Sequence, residues 1–232
     1  WMTEIDGQTQ DFHYTRLMLD FYKSIRINGG SLDIVGKNTD FTGYKLIIIP
    51  SFVHLDEEIF SRITLSGAKI LAGPRTGVKT NGFQIPHNLS LEGLGFKVTR
   101  VDALPLELPI EVEWKGIKGH MNVWREQGQC SGTSDGKGID DMPVVTTGNK
   151  GSYLCGWPDE NLLKAIMKEQ MLSAGLTTVS LPEYLRVRQR GNFLIFTNYG
   201  KEKVVIPDFY KGEIILGSRE MVQAEVTILS SE

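Results

Sequence analysis

Apolar and polar positions alternate with two different periods along this chain, and the change of period divides it. From Asp11 the spacing is helical: Tyr14, Leu17, Met18, Phe21, Tyr22 and Ile25 recur three and four residues apart and form one apolar stripe. Gly29-Gly30 ends that helix, because glycine enters the left-handed cap conformation without a steric penalty. A short strand is expected at Leu32–Val35 and a turn through Asn38–Gly43. A stronger strand follows at Lys45–Ser51, whose unbroken Leu-Ile-Ile-Ile run predicts burial on both faces, as in a parallel sheet. Asp56 then starts a helix with Glu57 and Glu58 in its first turn and Ile59, Phe60 and Ile63 on its inner face. A further strand, Ala68–Ala72, runs into Gly73-Pro74-Arg75-Thr76-Gly77. This βαβ alternation predicts an open α/β sheet with helices on its faces.

The middle of the chain reads differently. Ile110, Val112 and Trp114 alternate with Glu111 and Glu113, which marks a half-exposed strand. A turn at Lys115–Gly119 leads to a second strand through Met121 and Val123. The stretch Glu126–Asp141, rich in Gly, Ser and Asp, is expected to be a mobile loop. Val144–Thr146 and Ser152–Cys155 form a hairpin, and Pro158-Asp159 opens a last helix that runs to about Ala174 and stops at Gly175. Beyond Pro182 only short strands remain: Tyr184–Arg188, Phe193–Thr197, Val204–Ile206, Glu213–Leu216 and Glu225–Leu229. A domain boundary is therefore expected near residues 176–182.

Composition narrows the function classes. Of 232 residues, 41% are apolar and 23% charged, and the formal charge of −3 favours no partner of either sign. No basic stripe points to nucleic acid. No apolar run approaches the roughly 18 residues of a membrane span, and no signal peptide is visible. Trp1 precedes Met2, so the chain is expected to continue a longer parent. Two cysteines, Cys130 and Cys155, make no disulfide framework and suggest a reducing, cytoplasmic setting.

Three segments resemble a known family. Phe21-Tyr22, Asp33-Ile34-Val35 and Asp40-Phe41-Thr42-Gly43-Tyr44-Lys45-Leu46-Ile47-Ile48-Ile49-Pro50 are similar to the start of the trimerisation domain of family-42 β-galactosidases. Gly73-Pro74-Arg75-Thr76-Gly77-Val78-Lys79-Thr80, with Phe83-Gln84-Ile85-Pro86, resembles the loop after that family's next strand. Tyr153-Leu154-Cys155-Gly156-Trp157-Pro158-Asp159 resembles the domain's last strand and helix start. The tail, with Val187-Arg188-Gln189-Arg190-Gly191 and Asn198-Tyr199-Gly200, is similar to the family's C-terminal β-domain. The resemblance implies three parts. Residues 1–10 would be a linker from a missing barrel, and 11–177 an assembly domain with a flavodoxin-like, class I glutamine amidotransferase-like open sheet. Residues 178–232 would be a small antiparallel all-β domain. It implies a parent that hydrolyses terminal β-D-galactosides, binds its galactoside in a (β/α)₈ barrel and associates as a homotrimer. It implies no nucleic acid, membrane or cofactor.

The candidate chemistry was weighed residue by residue. A retaining glycosidase needs two carboxyl groups about 5–5.5 Å apart. A barrel to hold them takes about 250 residues, so none fits here and no catalytic residue is assigned. Glu57-Glu58 reads as helix N-terminal charge, and Asp140-Asp141 as a solvated pair. Cys155, ahead of a helix, is either a buried core residue or the nucleophile of an amidotransferase-like thiol enzyme. Trp114, Trp124 and Trp157 are either core or sugar-stacking platforms of a carbohydrate-binding module. His13, His54, His87 and His120 have no metal-ligand spacing. Arg75 and Lys79 stand at the carboxyl end of a strand, where ligands of open sheets gather. The loop's Arg75, Thr76, Lys79, Asn81, Phe83 and Gln84 are candidate contacts to a neighbouring subunit or the active-site mouth. The tract Leu104–Pro109 is a second candidate interface.

Overall fold

The computed structural model describes residues 9–80, 82, 84–85 and 93–230. It divides into two compact units. One comprises the chain up to Phe21 together with Gly36–Ile166, and the other comprises Tyr22–Val35 with the chain from Met167 onward.

The first unit is built on a mixed nine-stranded sheet. Strands β1 (Leu46–Ile49) and β2 (Lys69–Ala72) are parallel, joined by helix α2 (Glu57–Leu65), as the βαβ pattern predicts. Strand β8 (Ser152–Leu154) continues the parallel part beside β2. From there the pairing is antiparallel through β7 (Pro143–Thr147), β6 (Thr133–Gly138), β4 (Ile110–Trp114), β5 (Ile117–Cys130) and β3 (Phe96–Ala103). The short β9 (Gly156–Pro158) pairs with β5. Helix α2 starts where its sequence says it should: Asp56 accepts from the Ile59 amide at 2.8 Å, and Glu57 and Glu58 occupy the positive end of the helix. Its Ile59, Phe60 and Ile63 pack with Ile49, Ile70, Phe96 and Tyr153 in one apolar core. Each such burial contributes roughly 1.5–3 kcal/mol.

The second unit contains an antiparallel sheet ordered β10 (Leu185–Arg190), β11 (Phe193–Asn198), β15 (Val226–Ser230) and β13 (Ile214–Leu216). A two-stranded ladder joins β12 (Val204–Val205) to β14 (Glu220–Met221). Its core is Leu181, Leu185, Val187, Phe196, Ile206, Met221 and Leu229. Buried Asn198 ties the loops together: its amide nitrogen donates to the carbonyls of Glu202, Met221 and Val222, and its oxygen accepts from the Gly200 amide.

Helix α1 (Tyr14–Ile27) ends as expected: Gly29 has φ +77°, and the Gly30 amide reaches back to the Ile25 carbonyl. Helix α3 (Glu160–Ser173) follows β9, and Gly175 (φ +69°) closes it.

Two expectations need correction. Leu32–Val35 forms no strand among the described residues; it is an extended segment held at Asp33 by Arg188 (2.8 Å). Apolar character alone does not make a strand without a free edge to pair with. The supposed loop Glu126–Asp141 is largely sheet: β5 runs to Cys130 and β6 follows at once. Its glycines and polar residues read as loop, but long-range pairing to β3 and β7 supplies the backbone partners. Strand β3, which the pattern did not suggest, is the edge of this antiparallel ribbon.

Candidate functional site

The loop that leaves β2 is fixed from both sides. Gly73 donates to the Ile49 carbonyl at 2.8 Å, and a Cβ there would lie 2.2 Å from the Pro50 carbonyl oxygen, so only glycine fits. Gly77 and Lys79 donate to the carbonyls of Phe52 and Val53. The Thr76 hydroxyl accepts from the Phe52 amide at 3.3 Å and reaches the Ile49 carbonyl at 3.4 Å. Farther out, the Gln84 amide donates to the Thr80 hydroxyl, and the His54 ring nitrogen Nδ1 lies 3.0 Å from the Thr80 carbonyl.

Arg75 is the turning point of this loop. Its φ of +64° is left-handed, a conformation that a side chain with a Cβ adopts only at a cost. The residue is 2% exposed, and its guanidinium stacks over Phe12 (4.8 Å) and Trp124 (5.2 Å). Its backbone amide donates to Glu126 Oε1 at 3.0 Å.

Glu126 joins three elements at one carboxylate. Oε1 accepts from the Arg75 amide and from Trp124 Nε1 (3.0 Å), and Oε2 accepts the Tyr153 hydroxyl at 2.6 Å. Glu126 has no solvent exposure. Desolvation pushes its carboxyl above the usual range, opposed by the bonds from Tyr153, Trp124 and Arg75 and by the Arg75 charge. The same burial, with the Glu126 charge beside it, raises the Tyr153 hydroxyl well above its ordinary value.

A backbone irregularity delivers these groups. Val123 in β5 has φ +58°, and the register against β9 slips between Asn122 and Arg125. This bulge breaks the period-two alternation, so Val123, Trp124, Arg125 and Glu126 are all buried in sequence. Trp124 and Glu126 meet on one side. Arg125 turns to the other, where all five guanidinium N–H groups are engaged. Nε and Nη2 grip Asp140 (2.8 and 3.0 Å), and the carbonyls of Met142, Pro143 and Cys155 take the rest. Desolvation raises the Asp140 carboxyl, but the hydrogen bonds and charge of Arg125, with the Met142 amide, outweigh it and hold Asp140 below its usual value. Asp140 is therefore the anchor of a buried guanidinium, not a solvated partner of Asp141.

The remaining expected residues fall as follows. Arg75 and Thr76 are buried and present no surface of this chain, Lys79 is half-buried, and Gln84 is exposed. Asn81 and Phe83 lie outside the described residues, as does His87. Cys155 is fully buried, and desolvation raises its thiol well above the ordinary value, the reverse of an activated nucleophile. Trp114, Trp124 and Trp157 are each buried, and Trp157 donates to Asp20 at 3.1 Å, so none offers a ring face to a sugar. Sequence reading passed over Arg125 and Glu126 and took Asp140 as solvated, because the glycines between them suggested a loop. The available signal was Val123-Trp124-Arg125-Glu126 itself, in which an apolar pair adjoins opposite charges.

The arrangement is a buried polar hub that fixes the end of the parallel sheet. Its carboxylate accepts three hydrogen bonds and has no solvent exposure. Residues 1–177 match the family described as the β-galactosidase trimerisation domain. The chain belongs to this family. A β-galactosidase of Thermus thermophilus is 33% identical over 232 residues, covering 95% of this chain and 35% of that protein. The crystal structure of a β-galactosidase from the psychrophilic Marinomonas ef1 superposes with a TM-score of 0.92 at 33% identity, over 100% of this chain and 36% of that one. The β-galactosidase of the Antarctic haloarchaeon Halorubrum lacusprofundi shares the fold, with a TM-score of 0.88 at 23% identity. This trimerisation domain and its C-terminal sheet thus span about a third of the length of the relatives matched.

Proposed function

We propose that this chain is the non-catalytic assembly portion of a β-galactosidase that hydrolyses terminal β-D-galactosides, and that it holds three copies of the parent together. The match of residues 1–177 to a trimerisation domain carries this reading. The hub supports it: the position at the end of β2, where open sheets gather ligands, is filled by Arg75, whose guanidinium packs against Phe12 and Trp124 and whose amide is held by Glu126. In this reading the open sheet is a flavodoxin-like, amidotransferase-like framework with helices on both faces. Residues 11–177 form the assembly domain, 178–232 the small β-domain, and 1–10 the link to a catalytic barrel. The loop's outer residues, Lys79 and Gln84, contact the barrel or a neighbouring subunit, while buried Arg75 and Thr76 stiffen the loop from beneath.

Incubating the purified chain with a chromogenic galactoside tests the non-catalytic part. No turnover above a buffer blank is expected. Turnover that co-purifies with the 232-residue chain and saturates with galactoside would overturn the reading.

A further inference from the structure

Two arginines meet in the C-terminal unit. The segment before β10 runs along the end of α1: the Val179 amide donates to the Asn28 carbonyl at 3.0 Å and the Leu181 amide to the Ile27 carbonyl at 2.8 Å. This pairing brings Arg26, in the last turn of α1, near Arg186, the second residue of β10. Each guanidinium lies within the field of the other. Burial lowers the Arg186 pKa and the Arg26 charge lowers it further, while Tyr22, Glu183 and Tyr199 act in the opposite sense.

Both guanidinium groups keep donors in reserve. Arg26 is 8% exposed; its Nη1 donates to the Gly30 carbonyl at 2.8 Å, and its Nε is buried with no acceptor. Arg186 is half-buried, and its Nη1 donates to the carbonyls of Glu183 and Leu185, the latter at 2.9 Å. Among the described residues, Nη2 of Arg26 and both Nε and Nη2 of Arg186 have no protein acceptor. Glu183, also close to Arg186, is exposed and forms no ion pair with either guanidinium.

This arrangement is unfavourable on its own terms. Buried charges are normally paired, and like charges brought together repel. The carbonyls at the end of α1 favour one cation there, but they do not account for a second. A further donor stands close by. A Cβ at Gly29 would lie 2.8 Å from the Tyr210 hydroxyl, so that hydroxyl sits against the end of α1. Burial raises the Tyr210 pKa, opposed by the Arg26 charge, and the group is a neutral O–H donor at pH 7. Arg219 fixes its backbone, Nη2 donating to the Tyr210 carbonyl at 2.8 Å. Guanidinium forks match phosphate oxygens two at a time. Donors from three separate segments suit a tetrahedral anion, whose acceptors point in several directions, better than a flat carboxylate.

We propose that Arg26 and Arg186, with the Tyr210 hydroxyl, form a binding site for a phosphate group, carried either by free phosphate or by a phosphate monoester. The site is independent of the assembly reading above.

Isothermal titration calorimetry of the whole chain tests this, with inorganic phosphate and phenyl phosphate as probes against chloride of matched ionic strength. Saturable binding with a dissociation constant of about 1 mM or below is expected. Arg186→Gln and Arg26→Gln each weaken it by about tenfold or more. Arg188→Gln binds as the unmodified chain does, because that guanidinium already pairs with Asp33 at 2.8 Å. Circular dichroism checks that each variant is folded. Phenyl phosphate binding at least as tightly as inorganic phosphate assigns the site to an ester; a clear preference for inorganic phosphate assigns it to the free ion. Absence of saturable heat with both probes overturns the proposal. So does undiminished binding by Arg186→Gln, or an equal loss in Arg188→Gln, which would mark a diffuse charge effect. Should Arg26→Gln fail to fold, the comparison of Arg186→Gln with Arg188→Gln decides alone.

Discussion

At the scale of single residues, the balance at Glu126 governs the stability of the hub. Its carboxylate satisfies an amide, an indole and a hydroxyl in a site without solvent. Replacing it with leucine strands all three donors beside the Arg75 charge. Glu126→Leu should therefore lose roughly 3–5 kcal/mol in urea unfolding. The pH dependence separates the two buried acids. The folded-state pKa of Glu126 is raised, so its contribution is fully present below about pH 4.5 and declines as pH rises through the higher folded value. The stability advantage of the unmodified chain over Glu126→Gln should accordingly shrink with rising pH. Asp140 has the opposite sign. Its pKa is lowered by Arg125, so its contribution is present above pH 3.8 and is lost as pH falls through the lower folded value. Asp140→Asn should cost about 2 kcal/mol at neutral pH, and that penalty should vanish in strong acid. A penalty independent of pH would show that the pair is not an ionic one.

At the scale of elements, local signals and long-range pairing divided the work. Helix α2 was legible because its determinants are local: a capping Asp56, acids in the first turn and an apolar face. Asp56→Ala should lower stability by about 1 kcal/mol, read as a shift of the urea midpoint at constant slope. The βαβ unit and the terminal hairpins were legible for the same reason. Strands β3 and β6 and the end of β5 were not, because their backbone partners are distant in sequence, and β6 and the end of β5 are polar. The hub depended on what could not be read. A β-branched residue in the left-handed region is improbable from sequence, yet Val123 adopts it, and that bulge places Arg125 and Glu126 in the interior. The motif Gly73–Gly77 was found, but its chemistry was not. Burial of Arg75 between Phe12 and Trp124 turns an apparent anion site into a keystone of the core.

At the scale of the whole molecule, the proposed assembly role needs apolar surface left over after the core is built. Apolar side chains at Leu106, Leu108, Phe193 and Leu216 remain exposed, while the Glu126 and Arg125 networks are buried. Sedimentation equilibrium of the unmodified chain over a wide concentration range addresses that role most directly. Association to three times the 25.9 kDa chain mass is the predicted result. A single species of 25.9 kDa persisting at the highest concentration would contradict it.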